Sequence, residues 1–302
     1  MEIREKNSEK LKNSVKKYAF CYGLLAIPIV HFIVFWLYVN FKSLALPFQN
    51  EITGAFTWDN FKNIFTMIKS DPDLHSAFSN TLIYYVQGLI TSYVVSSLFA
   101  YFLYKKVAGY KLYSVLFMLP QIISGVVMVA IYKYMLGMSG PISALYQKLF
   151  NTSMPNLLFE HMTGSIVGFS IWTGFGMNLI LFSGAMAKIP PEIIESAQIE
   201  GVSFMQEFFL MVLPLIWPTM SMMLLLSVNG IFSASGPILL FLDDPSTHYG
   251  AITISHWFYL NVFMRHKYEL ASAFGLLLTI AGAPLTVIVV ILRRKLNVDV
   301  EY

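Results

Sequence analysis

Long, uninterrupted apolar runs dominate the chain. Six of them reach the roughly 20 residues that a helix needs to cross the hydrocarbon core of a bilayer. These runs cover residues 18–39, 78–104, 112–136, 164–186, 209–232 and 271–292. They are continuous rather than alternating, which favours helices over barrel strands, and backbone groups in lipid must be paired internally. The pattern predicts an all-α integral membrane protein with six transmembrane helices.

Composition supports the bilayer as the solvent of this chain. Of its 302 residues, 56% are hydrophobic and only 12% are charged, whereas soluble domains carry about a quarter charged residues. Lys133 is the only Asp, Glu, Lys or Arg within the six runs. The net charge of +3 is too small to indicate nucleic acid as a partner. The single cysteine, Cys21, excludes a disulfide within the chain.

Lysine and arginine residues predict the orientation. They are concentrated before the first run, after the second and after the sixth, and such residues are enriched in cytoplasmic loops. We therefore expect a cytoplasmic basic segment at 1–17, a transmembrane domain at 18–292 and a cytoplasmic tail at 293–302. Both termini and the loop at 189–214 would lie in the cytoplasm. The first run is too long for the apolar part of a signal peptide, which predicts an uncleaved first span.

This cytoplasmic loop is longer than a connection between two spans requires. Pro190 and Pro191 end the fourth run and suit the first turn of a new helix. Glu195 lies where the helix dipole favours an acid, and Gly201 permits a left-handed turn that ends the helix. Pro214 is expected to start or kink the fifth span. We predict a short helix, a turn and a second helix lying across the cytoplasmic face, although these residues alone fit an ordinary surface helix equally well.

The loop resembles the one by which permeases of ABC importers contact their ATPase. The family pattern is Glu-Ala-Ala, three residues, Gly, nine residues, Ile, one residue and Leu-Pro. The matching residues in this chain are Glu195, Ser196, Ala197, Gly201, Met211, Leu213 and Pro214. Four residues differ from the family pattern but are similar in size or charge to the usual ones: Ser196, Glu200, Val202 and Met211.

The resemblance extends from about residue 18 to residue 292. It is also carried by Asn80-Thr81, by Trp172-Thr173-Gly174, and by Leu119-Pro120, which resembles the broken start of the family's third span. It is closest to sugar-importer permeases of the maltose type, specifically the subunit that contacts maltose. This chain departs from that subunit because it has only six spans and no large additional outer domain. The resemblance implies the type I ABC importer permease architecture, in a bacterial cell membrane.

The resemblance also implies a set of partners. A second permease subunit completes the pathway, an ABC ATPase dimer binds ATP and Mg²⁺, and an external solute-binding protein delivers the sugar. The contact with the ATPase is expected to involve Glu195, Ser196, Ala197, Glu200 and Gly201. Glu195 would make the charged contact, and the small Ala197 and Gly201 would permit close packing. The chain has no Gly-x-x-x-x-Gly-Lys-Ser/Thr phosphate loop, so we expect it to bind no cofactor and to be no enzyme.

In this family the sugar lies near mid-membrane, between two spans of the core. The matching positions here are Thr173, Gly174, Met177, Ser227, Gly230, Ile231 and Ala234. Most of the family's maltose contacts are replaced, so maltose is not the expected cargo. Gly230 stands where the family has an aromatic side chain. We therefore expect a wider cavity and a longer oligosaccharide as cargo. Three other residues, Trp172, Asn178 and Asn229, are candidates for sugar contact, although such side chains also bond or pack against neighbouring helices.

Two alternatives stay open from the sequence. The first is another solute, such as glycerol-phosphate or a polyamine, since Lys133 would help an anion, and Asp243 and Asp244 a cation. The second is a secondary transporter or channel, but ion coupling usually leaves carboxylates within the spans, and the six runs contain none. Lys133 lies near the outer end of its run, where its stem can also reach the interface.

The third outer loop, at 233–270, contains a histidine pair and an apolar stretch that need interpretation. His248 and His256 form a weak metal-binding pattern, and no metal site is predicted from it. The apolar stretch at 251–263 is too short to cross the membrane. We expect it to form a helix at the outer surface with three aromatic residues at the interface: Trp257, Phe258 and Tyr259.

Overall fold

The computed structural model describes residues 18–19, 23–247 and 249–296, and these are predominantly helical. Six of its helical segments are long and apolar enough to cross a membrane. These first to sixth spans are Gly23–Phe48, Pro72–Tyr104, Gly125–Phe150, Met162–Met186, Phe204–Val228 and Tyr268–Lys295. The predicted all-α fold with six spans is confirmed. The segment at 1–17, residues 297–302 of the predicted tail, Cys21 and His248 lie outside the described residues, and the division into segments stays a prediction.

The apolar run at 112–136 does not form one helix. It is divided into two helices, Tyr110–Ile122 and Gly125–Leu136. Ile123 and Ser124 separate them, with extended ψ angles of 142° and 133°. The prediction of a single span at 112–136 is therefore wrong, because the backbone is extended at these two residues. The break lies just after Leu119-Pro120, where the resemblance implies a broken start of the third span.

The segment after the third predicted run contains a helix that the sequence pattern does not indicate. Pro141–Phe150 is helical and extends the third span beyond a turn at 137–140. Pro141 occupies the first turn of this helix, where a proline loses no helical hydrogen bond. The predicted outer loop at 137–163 is therefore partly helical.

The fifth span begins at Phe204, before its predicted start at residue 209. Ser203 caps it, since its hydroxyl accepts from the backbone N–H of Gln206 while the Gln206 side chain accepts from the Ser203 backbone. A π-helical segment, Glu207–Val212, precedes Pro214. A proline has no backbone N–H to donate, and its ring crowds the preceding turn of the helix. The wider π turn before Pro214 accommodates this crowding within a continuous helix. Of the two predictions for Pro214, a start of the span is wrong, because Pro214 lies inside it, and a local distortion of the helix agrees with the π turn. The prediction of a separate second helix between the coupling loop and the span is wrong.

The larger of two compact units contains residues 65–266 and 277–296. Within it, the N-terminal part of the second span is bonded to the segment around residue 252. The Asn80 amide donates to the carbonyls of Gly250 and Ile252 at 2.7 and 2.8 Å, and the Thr81 hydroxyl accepts from the Ile254 N–H at 2.9 Å. Amides commonly join helices in this way within membranes.

These bonds change the interpretation of the stretch at 251–263. It forms a helix, Ile254–Tyr259, that continues as the π-helix Leu260–Met264. Trp257 is only 2% exposed, so it belongs to the core and not to the membrane interface. That part of the prediction is wrong because Asn80 and Thr81 hold the segment against the second span.

The smaller unit contains residues 18–64, where described, and 267–276. Its first span has exposed apolar side chains, as contact with lipid or a partner subunit requires. After that span, the Asn60 amide donates to the carbonyls of Pro47 and Gln49. Four aromatic rings pack beside this bend: Phe48, Phe56, Trp58 and Phe61.

We predict that Gly176→Ala destabilises the protein. A Cβ at Gly176 would lie 2.9 Å from the Phe117 carbonyl and 2.8 Å from Gln121 Cγ, and overpacking costs about 1–3 kcal/mol. Gly184→Ala is the matched control, because a Cβ at Gly184 meets nothing within 4 Å. Thermal unfolding in detergent should show a lower midpoint for the first variant only, and equal midpoints would contradict the packing described here.

Candidate functional site

The loop at 189–214 contains a short helix, Pro191–Ile199, which we call the coupling helix. Pro191 occupies its first turn. Gly201 has a φ of +76°, and the Val202 N–H donates to the Ala197 carbonyl at 3.1 Å. A left-handed glycine with such a bond is a common helix terminator. The predicted short helix, ended by a left-handed turn at Gly201, is confirmed.

One face of the coupling helix belongs to the core of the protein. Ile194 is buried in a cluster with Ile189 and with Phe208 of the fifth span. Ala197 is 1% exposed. Its small side chain therefore lets the coupling helix lie close to the protein's own core. Its expected role in close packing against a partner is not supported, because Ala197 does not reach the surface.

The opposite face of the coupling helix is exposed. It presents Glu192, Glu195, Ser196, Ile199, Glu200 and Gly201. Ile199 is 88% exposed, which is unusual for an isoleucine in a well-packed structure. None of the three carboxylates forms an ion pair within the part of the chain that the structure describes. This surface combines free acidic groups with one apolar side chain, as a protein-binding site does.

A buried ion pair lies beside the coupling helix. Lys105 Nζ lies 2.9 and 3.0 Å from the two carboxylate oxygens of Glu207, and the Tyr101 hydroxyl donates to Glu207 Oε1 at 2.9 Å. Glu207 is only 2% exposed. We call these three residues the ion-pair cluster. A buried carboxylate is stable as an anion only when it is paired and hydrogen-bonded, and here both oxygens have partners.

Each charge of the pair lies at a helix end that favours it. Lys105 caps the C-terminus of the second span, and Glu207 follows the N-terminus of the fifth span at Phe204. Helix dipoles favour cations and anions at these respective ends. Sequence reasoning missed the pair because the two residues are separated by 102 positions and each fits a solvated cytoplasmic loop.

A cavity of about 320 Å³ opens between the second, fourth and fifth spans. Its aromatic and polar lining residues are Tyr84, Tyr85, Ser92, Tyr93, Asn178 and Ser227. A second cavity of about 230 Å³ shares Tyr84, Gly88, Ser92 and Ala234 with the first. It is also lined by Ser170, whose buried hydroxyl has no hydrogen-bond partner among the described residues. The two cavities form one aromatic and polar region.

The predicted pathway residues divide into two groups. Four line the cavities: Gly174, Asn178, Ser227 and Ala234. Six do not: Trp172, Thr173, Met177, Asn229, Gly230 and Ile231. Because Gly230 lies outside the lining, the argument from Gly230 for a wider cavity is not supported.

Several residues of the second group have structural partners instead. The Trp172 ring stacks on Tyr132 with centroids 6.0 Å apart. The Thr286 hydroxyl donates to Asn229 Oδ1 at 3.2 Å, which joins the sixth span to the fifth. The Thr173 carbonyl accepts from Gln121. These contacts join helices, which is the commoner use of polar groups in membrane proteins.

Sequence reasoning overlooked the contribution of the second span to the cavities. Tyr84, Gly88 and Ser92 recur at intervals of four residues and therefore lie on one helix face. All three line both cavities. This recurrence of aromatic, small and polar residues inside an apolar run is a signal that could have identified the face.

The charged candidates of the third span and of the segment at 243–256 already have partners. Lys133 Nζ lies 2.8 Å from Asp243 Oδ1 and donates to the Phe241 carbonyl at 3.1 Å. The Asp244 carboxylate accepts from the Ser246 N–H and hydroxyl, and these bonds lower its pKa. His256 Nε2 lies 2.9 Å from the Pro245 carbonyl. Lys133 and Asp243 thus neutralise each other, which weakens the case for either as a ligand for a charged cargo.

Comparison with known proteins agrees with this geometry. The profile of the family described as binding-protein-dependent transport system inner membrane component matches residues 92–301. The multiple sugar-binding transport system permease protein MsmF of Streptococcus mutans is 25% identical over 277 residues, covering 91% of this chain and 95% of MsmF. The arabinooligosaccharides transport system permease protein AraP of Halalkalibacterium halodurans is 24% identical, covering 85% and 82% of the two chains.

A solved structure shares the fold. It is a chain from a bacterial ABC transporter involved in the import of the acidic polysaccharide alginate. The two chains superpose with a TM-score of 0.82 at 22% identity, covering 95% of this chain and 99% of the other. This likeness shows a shared fold, and together with the family match it confirms the importer-permease architecture predicted from the sequence.

We predict that Gly201→Ala destabilises the turn after the coupling helix. A Cβ at Gly201 meets nothing within 4 Å, but the φ of +76° is unfavourable for alanine, at a cost of about 1 kcal/mol. Gly201→Asn is the control, since asparagine tolerates the left-handed region better. Thermal unfolding in detergent should give the highest midpoint for the parent, a lower one for Gly201→Asn and the lowest for Gly201→Ala. An alanine variant as stable as the parent would contradict this account of the turn.

Proposed function

Because the chain belongs to the family of inner membrane components of binding-protein-dependent transport systems, we propose that it forms one half of the pathway of an ATP-driven sugar importer. It is a multi-pass protein of the cell membrane and a permease subunit. In this proposal a second permease subunit supplies the other half of the pathway. An external solute-binding protein delivers the cargo, and both termini lie in the cytoplasm.

The exposed face of the coupling helix is the observation that carries the proposal. A short helix with one face fixed in the core and the other presenting acids and Ile199 is suited to a soluble partner. We assign this partner as the ABC ATPase dimer, which would bind ATP and Mg²⁺ and hydrolyse the nucleotide. Closure of the ATPase dimer would displace the coupling helix, and a rigid-body movement of the spans would open the cavity outward.

The cavity and the relatives support a sugar oligomer as cargo. The lining has three tyrosines that offer aromatic faces, and amide and hydroxyl groups that donate and accept hydrogen bonds. The relatives MsmF and AraP are named for sugars and arabinooligosaccharides, and the similar structure for alginate import. Glycerol-phosphate is less well supported, because the candidate cation Lys133 is paired with Asp243 and lines neither cavity.

We predict that Glu195→Lys and Ile199→Ser each weaken binding of the cognate ATPase. Each removes one element of the exposed face, and the expected loss is about tenfold in affinity, or about 1.4 kcal/mol. Glu51→Lys is the control for the charge change, because Glu51 is exposed in a predicted outer loop. The measurement is the amount of ATPase retained on the immobilised permease complex. Retention at parental levels by both variants would refute this assignment of the surface.

We predict that Tyr85→Ala raises the cargo concentration needed for half-maximal import. Loss of an aromatic face costs about 1 kcal/mol, which corresponds to about fivefold. Tyr134→Ala is the control, since Tyr134 is exposed and lines neither cavity. Import of labelled arabinooligosaccharides and maltodextrins into proteoliposomes would be measured. An equal effect of both substitutions would argue against the cavity as the sugar pathway.

A further inference from the structure

We propose that the ion-pair cluster of Tyr101, Lys105 and Glu207 transmits movement of the coupling helix to the second span, and through it to the cavity. The proposal rests on the function proposed above. All three are positioning residues, since none lies on the exposed face of the coupling helix and none lines the cavity. Their role would be to make two distant parts of the subunit move as one.

The first link joins the coupling helix to Glu207. Only four residues, 200–203, separate the coupling helix from the fifth span. This turn is held by the bond from Val202 to the Ala197 carbonyl and by the reciprocal cap of Ser203 and Gln206. A connection this short, with its backbone bonded at both ends, cannot absorb much displacement. Movement of the coupling helix is therefore expected to carry the start of the fifth span with it.

The second link joins Glu207 to the second span. Besides the bonds to Glu207, the Tyr101 hydroxyl lies 3.3 Å from the Phe204 carbonyl. The Tyr101 ring packs against Phe204 and Phe208, with centroids 4.7 and 5.0 Å apart. The end of the second span thus holds the first turns of the fifth span by charge, hydrogen bonds and ring contacts.

The third link is the second span itself. It is one helical segment, Pro72–Tyr104, that carries the cavity residues Tyr84, Gly88 and Ser92. Its π-helical part, Ile90–Val95, lies beside the cavity, and π-helical turns are frequent at functional sites. A displacement applied near Lys105 would therefore reach the cavity wall through a continuous helix.

The chemistry of the cluster separates transmission from stability. Replacing a buried ion pair by apolar residues of similar volume is often neutral or stabilising. An apolar pair fills the same space, but it does not fix the fifth span relative to the second span as the hydrogen-bonded Glu207 carboxylate does. Lys105→Met with Glu207→Leu should therefore leave a stable subunit whose second span no longer follows the coupling helix.

The test measures the cavity in the assembled complex with the cognate ATPase. Cys21→Ser and Ser92→Cys place a single thiol in the cavity lining, and a membrane-impermeant maleimide added from outside reports its accessibility. Trapping the complex with ATP and vanadate should raise the labelling rate at least about fivefold, the lower range of typical coupling. Adding the apolar pair should abolish most of this increase, while assembly and ATP hydrolysis remain.

Three further variants keep the test decisive. Lys106→Met removes a neighbouring exposed lysine and should preserve the increase. Tyr101→Phe keeps the ring and the ion pair but loses the hydroxyl, and should reduce the increase partly even if the double variant fails to assemble. Lys105→Arg conserves the positive charge and should preserve the increase in labelling rate.

Results contrary to expectation would contradict different claims, depending on which variant gives them. An increase as large as the parent's in the apolar pair, or in Tyr101→Phe if the double variant does not assemble, would overturn the proposed transmission while leaving the importer function intact. A lower thermal midpoint with an unchanged increase would mean a purely structural role for the cluster. No increase in the parental complex would instead refute the proposed ATP-driven function itself.

Discussion

The ion pair between the buried Glu207 and Lys105 is the interaction that fixes the start of the fifth span against the end of the second span in the larger unit. A charge removed from water must be paired and hydrogen-bonded to be tolerated. Lys105 and Tyr101 from the end of the second span meet this requirement. Because the partners come from two spans, the need to satisfy one side chain determines how the fifth span begins. The position of the coupling helix follows from that, since only a short capped turn separates it from the fifth span.

The coupling helix shows how a membrane subunit presents a soluble partner with a fixed surface. Ile194 and Ala197 hold its inner face in the core, and Gly201 ends it where the chain must turn back. Glu195 and Ile199 on its outer face are exposed, so both side chains are available for recognition. The larger unit thus combines a docking surface with an aromatic and polar cavity inside one set of packed helices.

The sequence alone predicts those features that depend on local chemistry. Apolar runs indicate six spans, and prolines with a glycine mark the coupling helix. The features it does not predict are set by contacts between distant residues. Glu207 and Lys105 are 102 positions apart. The break at Ile123 and Ser124 is indicated only by the resemblance at Leu119-Pro120, whereas the apolar pattern of the run predicts one uninterrupted helix. The resemblance placed pathway residues on the fourth and fifth spans, whereas the second span contributes much of the cavity lining.

The most direct test of the account is a cross-linking measurement at the coupling helix. With Cys21→Ser as background, Ser196→Cys places one thiol on the exposed face, and a thiol-to-amine cross-linker of short span is added to the purified complex with its cognate ATPase. The account predicts an efficient covalent product between the two proteins, with a yield that changes when ATP is bound. A thiol that stays freely labelled in an actively importing complex, with no such product, would contradict it.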